Sequence, residues 1–162
     1  MAALISLSTI AVLTAADQII KHFVLLYLKP VGSVSVISGL LEWNYVENTG
    51  AAFGSFSGNT TLLSVITAVI ILAGIAAILL KKIKKKYLLV TATIIIAGGL
   101  GNLIDRIFRG YVVDFIKVLF IDFPVFNFAD ILVTCGSFML IIYLIIDIYN
   151  DSRKKQKGDK LE

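Results

Sequence analysis

Four aspartates, Asp105, Asp114, Asp122 and Asp130, stand in the stretch from Gly98 to Gly136, between two apolar segments. Hydrolysing an amide at neutral pH takes a base to accept a proton from water and an acid to protonate the departing nitrogen. Two partly desolvated carboxyls that face each other supply both, because their charges repel and they hold one proton between them. Asp114 is set in the strand-like run Tyr111-Val112-Val113-Asp114-Phe115-Ile116, and Asp130 follows Phe128-Ala129 at the start of a long apolar stretch. These two are the aspartates in apolar company and form the candidate pair. Asp122 sits at an Ile-Asp-Phe-Pro turn and reads as solvated. Arg106 follows Asp105 directly and could neutralise it or a neighbour. Asn102, Asp105 and Arg106 read as a polar knot at a helix end, structural or substrate-positioning rather than proton-transferring.

Other chemistries have fewer parts. A serine nucleophile needs a base, and His22 is the one histidine, suited to an interfacial or packing role. Cys135 is the one cysteine, so no intramolecular disulfide forms, and no cationic neighbour in sequence activates its thiol. Zinc sites are built mainly from His and Cys, so no metal and no cofactor is expected. No Gly-rich phosphate loop with its lysine is present. Residue chemistry alone leaves an enzyme and a small polytopic transporter or proton-conducting membrane protein equally open.

The elements that must position these carboxyls are membrane spans. Hydrophobic residues make up 58% of the 162, mean hydropathy is +0.92, and the apolar residues gather into runs near the ~20 residues a bilayer needs. The spans are placed at about 2–25, 60–80, 87–104 and 129–148 of a single membrane domain covering 1–162, with loops 29–58 and 105–128 between them. Asp17 and Lys21, four apart, share one helix face; a structural ion pair and a functional one are equally compatible with that spacing. After Pro30, residues 34–45 alternate in strand fashion around a Ser38-Gly39 turn. Strand edges cannot lie in hydrocarbon, so this piece belongs at the interface. Glu47-Asn48-Thr49-Gly50-Ala51-Ala52-Phe53-Gly54 reads as a turn into the second span, or as a close-approach site for a peptide-like ligand. Two basic clusters, Lys81 to Lys86 and Arg153 to Lys160, fall on the same side of a four-span chain. Basic residues favour the cytoplasmic side, which puts both termini in the cytoplasm and both long loops on the outer face. That placement accounts for the clusters without nucleic-acid binding.

Five ordered motifs carry a resemblance: Asp17-Gln18-Ile19-Ile20-Lys21, Asn48-Thr49-Gly50-Ala51-Ala52-Phe53, Gly101-Asn102-Leu103-Ile104-Asp105-Arg106, Val112-Val113-Asp114-Phe115 and Phe126-Asn127-Phe128-Ala129-Asp130. Over nearly its whole length the chain resembles bacterial lipoprotein signal peptidase, the type II signal peptidase. The resemblance implies an aspartic endopeptidase of the bacterial cytoplasmic membrane, with its site at the outer face beside a small β-cradle. The implied substrates are diacylglyceryl-modified prolipoproteins, cut just before the lipidated cysteine, and the implied inhibitors are of the globomycin type. By motif, the family's catalytic pair falls on Asp114 and Asp130. Its substrate-binding or supporting positions fall on Asp17, Lys21, Asn48, Gly50, Asn102, Asp105, Arg106, Asn127 and Ala129. In that reading Asn48, Asn127 and Arg106 hold substrate carbonyls, while Gly50 and Ala129 leave room for the peptide backbone.

Overall fold

A computed structural model describes residues 1–50 and 59–158. The rest of the small-residue stretch, Ala51-Ala52-Phe53-Gly54, and the end of the basic tail, with Lys160, lie outside the described residues. Among the described residues the chain folds into four long helices and a three-stranded antiparallel sheet. The helices are α1 (Ala2–Phe23), α2 (Thr60–Leu79), α3 (Lys86–Arg109) and α4 (Phe128–Gly158). Each is long and apolar enough to cross a bilayer. The protein is thus a four-helix membrane protein with a small sheet, as its apolar runs predict.

α3 is the central helix and touches α1, α2 and α4. Lipid gives packed helices no hydrophobic advantage, so association depends on close fit and on small residues. Gly98 shows the fit. A Cβ there would run into the Ala129 carbonyl oxygen and would stand 2.9 Å from Val133 Cγ2. At the far end of the same seam, a Cβ on Gly136 would stand 2.7 Å from Ile95 Cγ1. The apolar core between the helices is built from Ile10, Ile71, Ile78, Ile96, Ala97 and Leu103.

Two ends of helices differ from the sequence expectation. α1 does not stop at Pro30 directly but widens into one π turn, Val24–Leu28, in which the Lys29 N–H bonds the Val24 carbonyl at 2.9 Å. α3 runs past residue 104 to Arg109, where Gly110 at φ +80° closes it with a left-handed cap. Asn102, Asp105 and Arg106 therefore project from the last turns of a helix.

The sheet consists of β1 (Ser33–Ile37), β2 (Leu41–Asn48) and β3 (Val112–Val118), in that order. Gly39, at φ +72°, serves the turn between β1 and β2. The run around Asp114 supplies β3, and Asp114 lies opposite Val46 while Val112 lies opposite Asn48. Val113 and Phe115 point to the other face and pack on Val24 and Leu28 at the end of α1. β3 then receives the chain that leads into α4. Ile116 and Phe126 exchange backbone hydrogen bonds at 2.8 and 3.0 Å, which sets residues 126–130 beside Asp114.

The α3–α4 seam yields a paired expectation. Gly98→Ala should destabilise the protein by about 1–3 kcal/mol, because backbone must move to admit the methyl group. Gly99→Ala should leave stability nearly unchanged, since its nearest neighbour, Ile71 Cδ1, would stand 3.5 Å away. Thermal unfolding in detergent compares the two.

Candidate active site

Asp114 and Asp130 line one cavity of about 680 Å³, together with Asn48, Gly50, Asn102, Arg106 and the apolar run Phe123-Pro124-Val125-Phe126. That size suits a small-molecule or short-peptide ligand. Asp114 is 1% exposed. Its Oδ2 accepts from Asn48 Nδ2 at 2.9 Å and its Oδ1 from Asn127 Nδ2 at 2.6 Å. Asn48 can reach it because residues 46 and 48 share a face of β2 with Asp114 of β3. The Asn48 Oδ1 accepts the Gly50 N–H at 2.9 Å, so both ends of that amide are committed.

Asp130 is held by the start of its own helix. Asn127 precedes α4, and its Oδ1 accepts the Asp130 N–H at 3.0 Å, while Asp130 Oδ2 accepts the Asn127 N–H at 3.1 Å. This reciprocal pair is a capping box, which satisfies two backbone donors that a helix start leaves free. A carboxylate in the first turn also gains from the helix dipole. Asp130 Oδ1 accepts from Asn102 Nδ2 at 2.8 Å, and Asn102 Oδ1 accepts from Asn127 Nδ2 at 3.1 Å. Two asparagines thus link the two carboxyls.

A buried ionic cluster lies against this network. Lys21 has no exposed side-chain surface, and its Nζ lies 3.0 Å from Asp17 Oδ2, 2.9 Å from Asp105 Oδ2 and 2.9 Å from Asn102 Oδ1. Asp105 is paired a second time, with Arg109 one turn further along α3. The sequence offered Arg106 as a neutraliser of Asp105 or a neighbour; the ion-pair partner of Asp105 is Arg109, four residues on, because residues one apart on a helix do not face each other, while Arg106 shares the cavity with Asp114 and Asp130 and its charge acts on both. Arg106 instead donates from Nη2 to the Gly50 carbonyl at 3.1 Å. Gln18 bonds Asp17, Asp105 and the Gly101 carbonyl. Asp17 Oδ1 accepts the Ala129 N–H at 3.0 Å, and Asp105 Oδ2 accepts the Val113 N–H at 3.1 Å. The cluster therefore grips both the start of α4 and the start of β3.

Apart from Asn127 and Ala129, both fully buried, the candidate residues separate into two sets. Asn48, Gly50, Asn102, Arg106, Asp114 and Asp130 reach the cavity, while Asp17, Lys21 and Asp105 form the ionic support, and all three are 0% exposed. Ala129 is fully buried and donates its N–H to Asp17, so it packs the helix start instead of clearing space in the cavity. Asn48 and Asn127 spend donors on Asp114, where the resemblance implied substrate carbonyls. Asp122 is exposed, as its turn suggests. Arg109 and Gln18 escaped the sequence reading. The spacing of Arg109 was a usable signal, since it follows Asp105 by four; Gln18 reaches across to Gly101 and Asp105 on α3, which no local spacing announces.

Fold and site together define a polytopic membrane protein with two carboxyls in an apolar cavity. A family model described as signal peptidase (SPase) II matches residues 9–146. The lipoprotein signal peptidase of Lactococcus lactis subsp. lactis is 37% identical over 89% of this chain and 95% of its own. That of Clostridium acetobutylicum is 36% identical over 91% and 96%. A bacterial membrane enzyme solved by the in meso method superposes with a TM-score of 0.80 at 34% identity, covering 90% of both chains. The chain belongs to the signal peptidase II family and is a membrane-embedded protease.

Burial, and next the charge of Asp130, push the Asp114 carboxyl up from 3.8 to about 7, against the two amide donors that favour its ionised form. Forcing it to ionise in the folded protein thus costs on the order of 4 kcal/mol. The folded state binds this proton more tightly than the unfolded state does, so stability is lost as pH rises from 3.8 to about 7. Asp114→Asn should therefore unfold at a higher temperature than the unaltered protein at pH 8. At pH 4 it should show no advantage. A temperature ramp at both pH values, in one detergent, reads the difference.

Proposed function

We propose that this protein is an aspartic endopeptidase that removes signal peptides from diacylglyceryl-modified prolipoproteins, cutting just before the lipidated cysteine. The observation that carries the reading is the convergence of Asp114 and Asp130 on one cavity in a chain of the signal peptidase II family. The relatives' name, lipoprotein signal peptidase, supports the substrate class. The apolar cavity wall, from Phe123 to Phe126 and along Ile131 and Val133, suits a substrate that arrives with acyl chains and an apolar signal helix. Membrane lipid is then the surrounding solvent, and globomycin-type inhibitors would occupy the space in front of the two carboxyls.

Asp114, buried and elevated toward 7, is the member that carries the proton at neutral pH. Asp130, across the cavity at a helix N-terminus, is the partner that serves as base. Asp130 takes a proton from water as the water oxygen attacks the scissile carbonyl carbon, and Asp114 gives its proton to the carbonyl oxygen. The resulting tetrahedral diol collapses when Asp130 returns its proton to the amide nitrogen and the C–N bond breaks. Asp114 recovers a proton from the diol hydroxyl, and the pair is restored. Arg106, bonded to the Gly50 carbonyl at the cavity edge, orders that rim for the incoming backbone.

On this reading the enzyme lies in the bacterial cytoplasmic membrane as a multi-pass protein with cytoplasmic termini. Lys81, Lys82, Lys84, Lys85 and Lys86 support this orientation, since they cluster at the turn between α2 and α3, and Arg153 lies toward the end of α4. The sheet and the cavity then face outward. Cysteines introduced at Ser38 and at Lys84 should react with an impermeant thiol reagent from opposite sides, the first from outside. Labelling of both from one side would refute the orientation.

Asp114→Asn and Asp130→Asn should each abolish cleavage of a lipidated lipobox peptide while the protein still inserts. The double variant should be little worse than either single one, because the acid and the base act as a unit. Asp122→Asn should keep its activity. The pH profile should be bell-shaped, with the alkaline limb near pH 7, where Asp114 gives up its proton. Full activity in either single variant would remove the aspartic mechanism.

A further inference from the structure

The carboxyl pair is linked by asparagine amides, and an amide is useful only if the right end faces the right partner. Asn127 is oriented by its own backbone: its Oδ1 must face the Asp130 N–H, which only donates, so its NH2 faces Asp114. Asn102 has no such backbone lock. The group that orients it is Lys21, an ammonium with three donors and no acceptor. Two of those donors go to Asp17 and Asp105, and the third goes to Asn102 Oδ1 at 2.9 Å. The oxygen of Asn102 is thereby turned toward α1, and its NH2 is left facing Asp130 at 2.8 Å.

We infer that Lys21 is a positioning residue for hydrolysis: by fixing the Asn102 oxygen, it keeps the Asn102 NH2 aimed at Asp130 and so holds that carboxyl in place. The inference rests on the carboxyl-pair reading above. A bond from an ammonium to the amide oxygen polarises the amide and makes its NH2 a stronger donor. A stronger donor holds the carboxyl that receives it more firmly. Asn127 gives the Asn102 oxygen a second donor at 3.1 Å, so losing Lys21 weakens the arrangement without reversing it. The charged groups around Asp130 are Asp114 from β3, Arg106 from α3 across the cavity, and Lys21 from α1 behind Asn102. Asp17 and Asp105 neutralise part of the Lys21 charge where it stands, and its hydrogen-bonded path to Asp130 runs through the amide. The support residue and the reacting residue thus belong to one chain of hydrogen bonds, Lys21 to Asn102 to Asp130.

Lys21→Met alone would strand Asp17 in the interior, so the test uses Lys21→Met with Asp17→Asn, which keeps the buried charge balanced and an acceptor for the Ala129 N–H. Asp17→Asn alone is the reference. Rates on a lipidated lipobox peptide are measured against substrate concentration in detergent. The paired variant should lose ~10-fold in kcat with little change in KM, as expected when geometry at the reacting group slackens. In an Asn102→Ser background the same pair of substitutions should cost no further kcat. An unmoved kcat, a loss confined to KM, an equal loss of kcat without Asn102, or failure of the paired variant to fold would each overturn the proposal. Asp114→Asn and Asp130→Asn are run alongside. If either is active, the carboxyl-pair reading fails; if both are dead and kcat of the paired variant is unmoved, only the role of Lys21 fails.

Discussion

A lysine ammonium sealed from water inside a membrane protein sets the terms for everything around it. Charge at membrane depth is costly unless it is paired and fully hydrogen-bonded. Lys21 meets that condition with three acceptors, Asp17, Asp105 and Asn102, one for each of its protons. Those acceptors cannot then be placed freely. Asp17 must lie one turn back on α1, Asp105 must come from α3, and the cluster must balance its second acid with Arg109. Removing one partner of such a pair typically costs about 3–5 kcal/mol. The cluster is therefore a rigid joint at a depth where neither water nor the hydrophobic effect would hold helices together.

From that joint the site is assembled outward. Asp17 holds the first turn of α4 by the Ala129 N–H, and Asp105 holds the start of β3 by the Val113 N–H. These are the two elements that present Asp130 and Asp114. The Ile116–Phe126 bridge closes the remaining side, so both carboxyls hang from supports fixed twice. The close α3–α4 seam at Gly98 adds a third restraint on the helix that bears Asp130. Preorganisation of this kind is what a hydrolytic site needs, because reacting groups must meet without a search.

How much of this can be read from sequence depends on whether a feature is local. The spans are legible because lipid demands long apolar runs, and four are present. Asp114 and Asp130 stand out because their neighbours are apolar. The sheet is half legible: the alternation over 34–45 shows β1 and β2, while the pairing of β2 with β3 joins segments far apart in the chain. Asp105 was offered Arg106 by adjacency, although helical spacing points to Arg109. The capping box was there to be seen in Asn127-Phe128-Ala129-Asp130, whose ends are three apart. What no local pattern contains is the direction of an amide. That Asn102 shows its oxygen to Lys21 and its nitrogen to Asp130 follows only once three helices are in place.

The capping box has a consequence for access to the carboxyl it holds. A carboxylate offers about four lone pairs, and at Asp130 one on each oxygen is already committed, to the Asn127 N–H and to the Asn102 amide. Each oxygen of Asp114 likewise already accepts one bond, from Asn48 and from Asn127. Both carboxyls line the same cavity, so what they have left to offer is offered there. On the proposed mechanism, the atoms that begin α4 thus restrict the reacting group as well as hold it: each bond that fixes Asp130 is one fewer way for water to meet it.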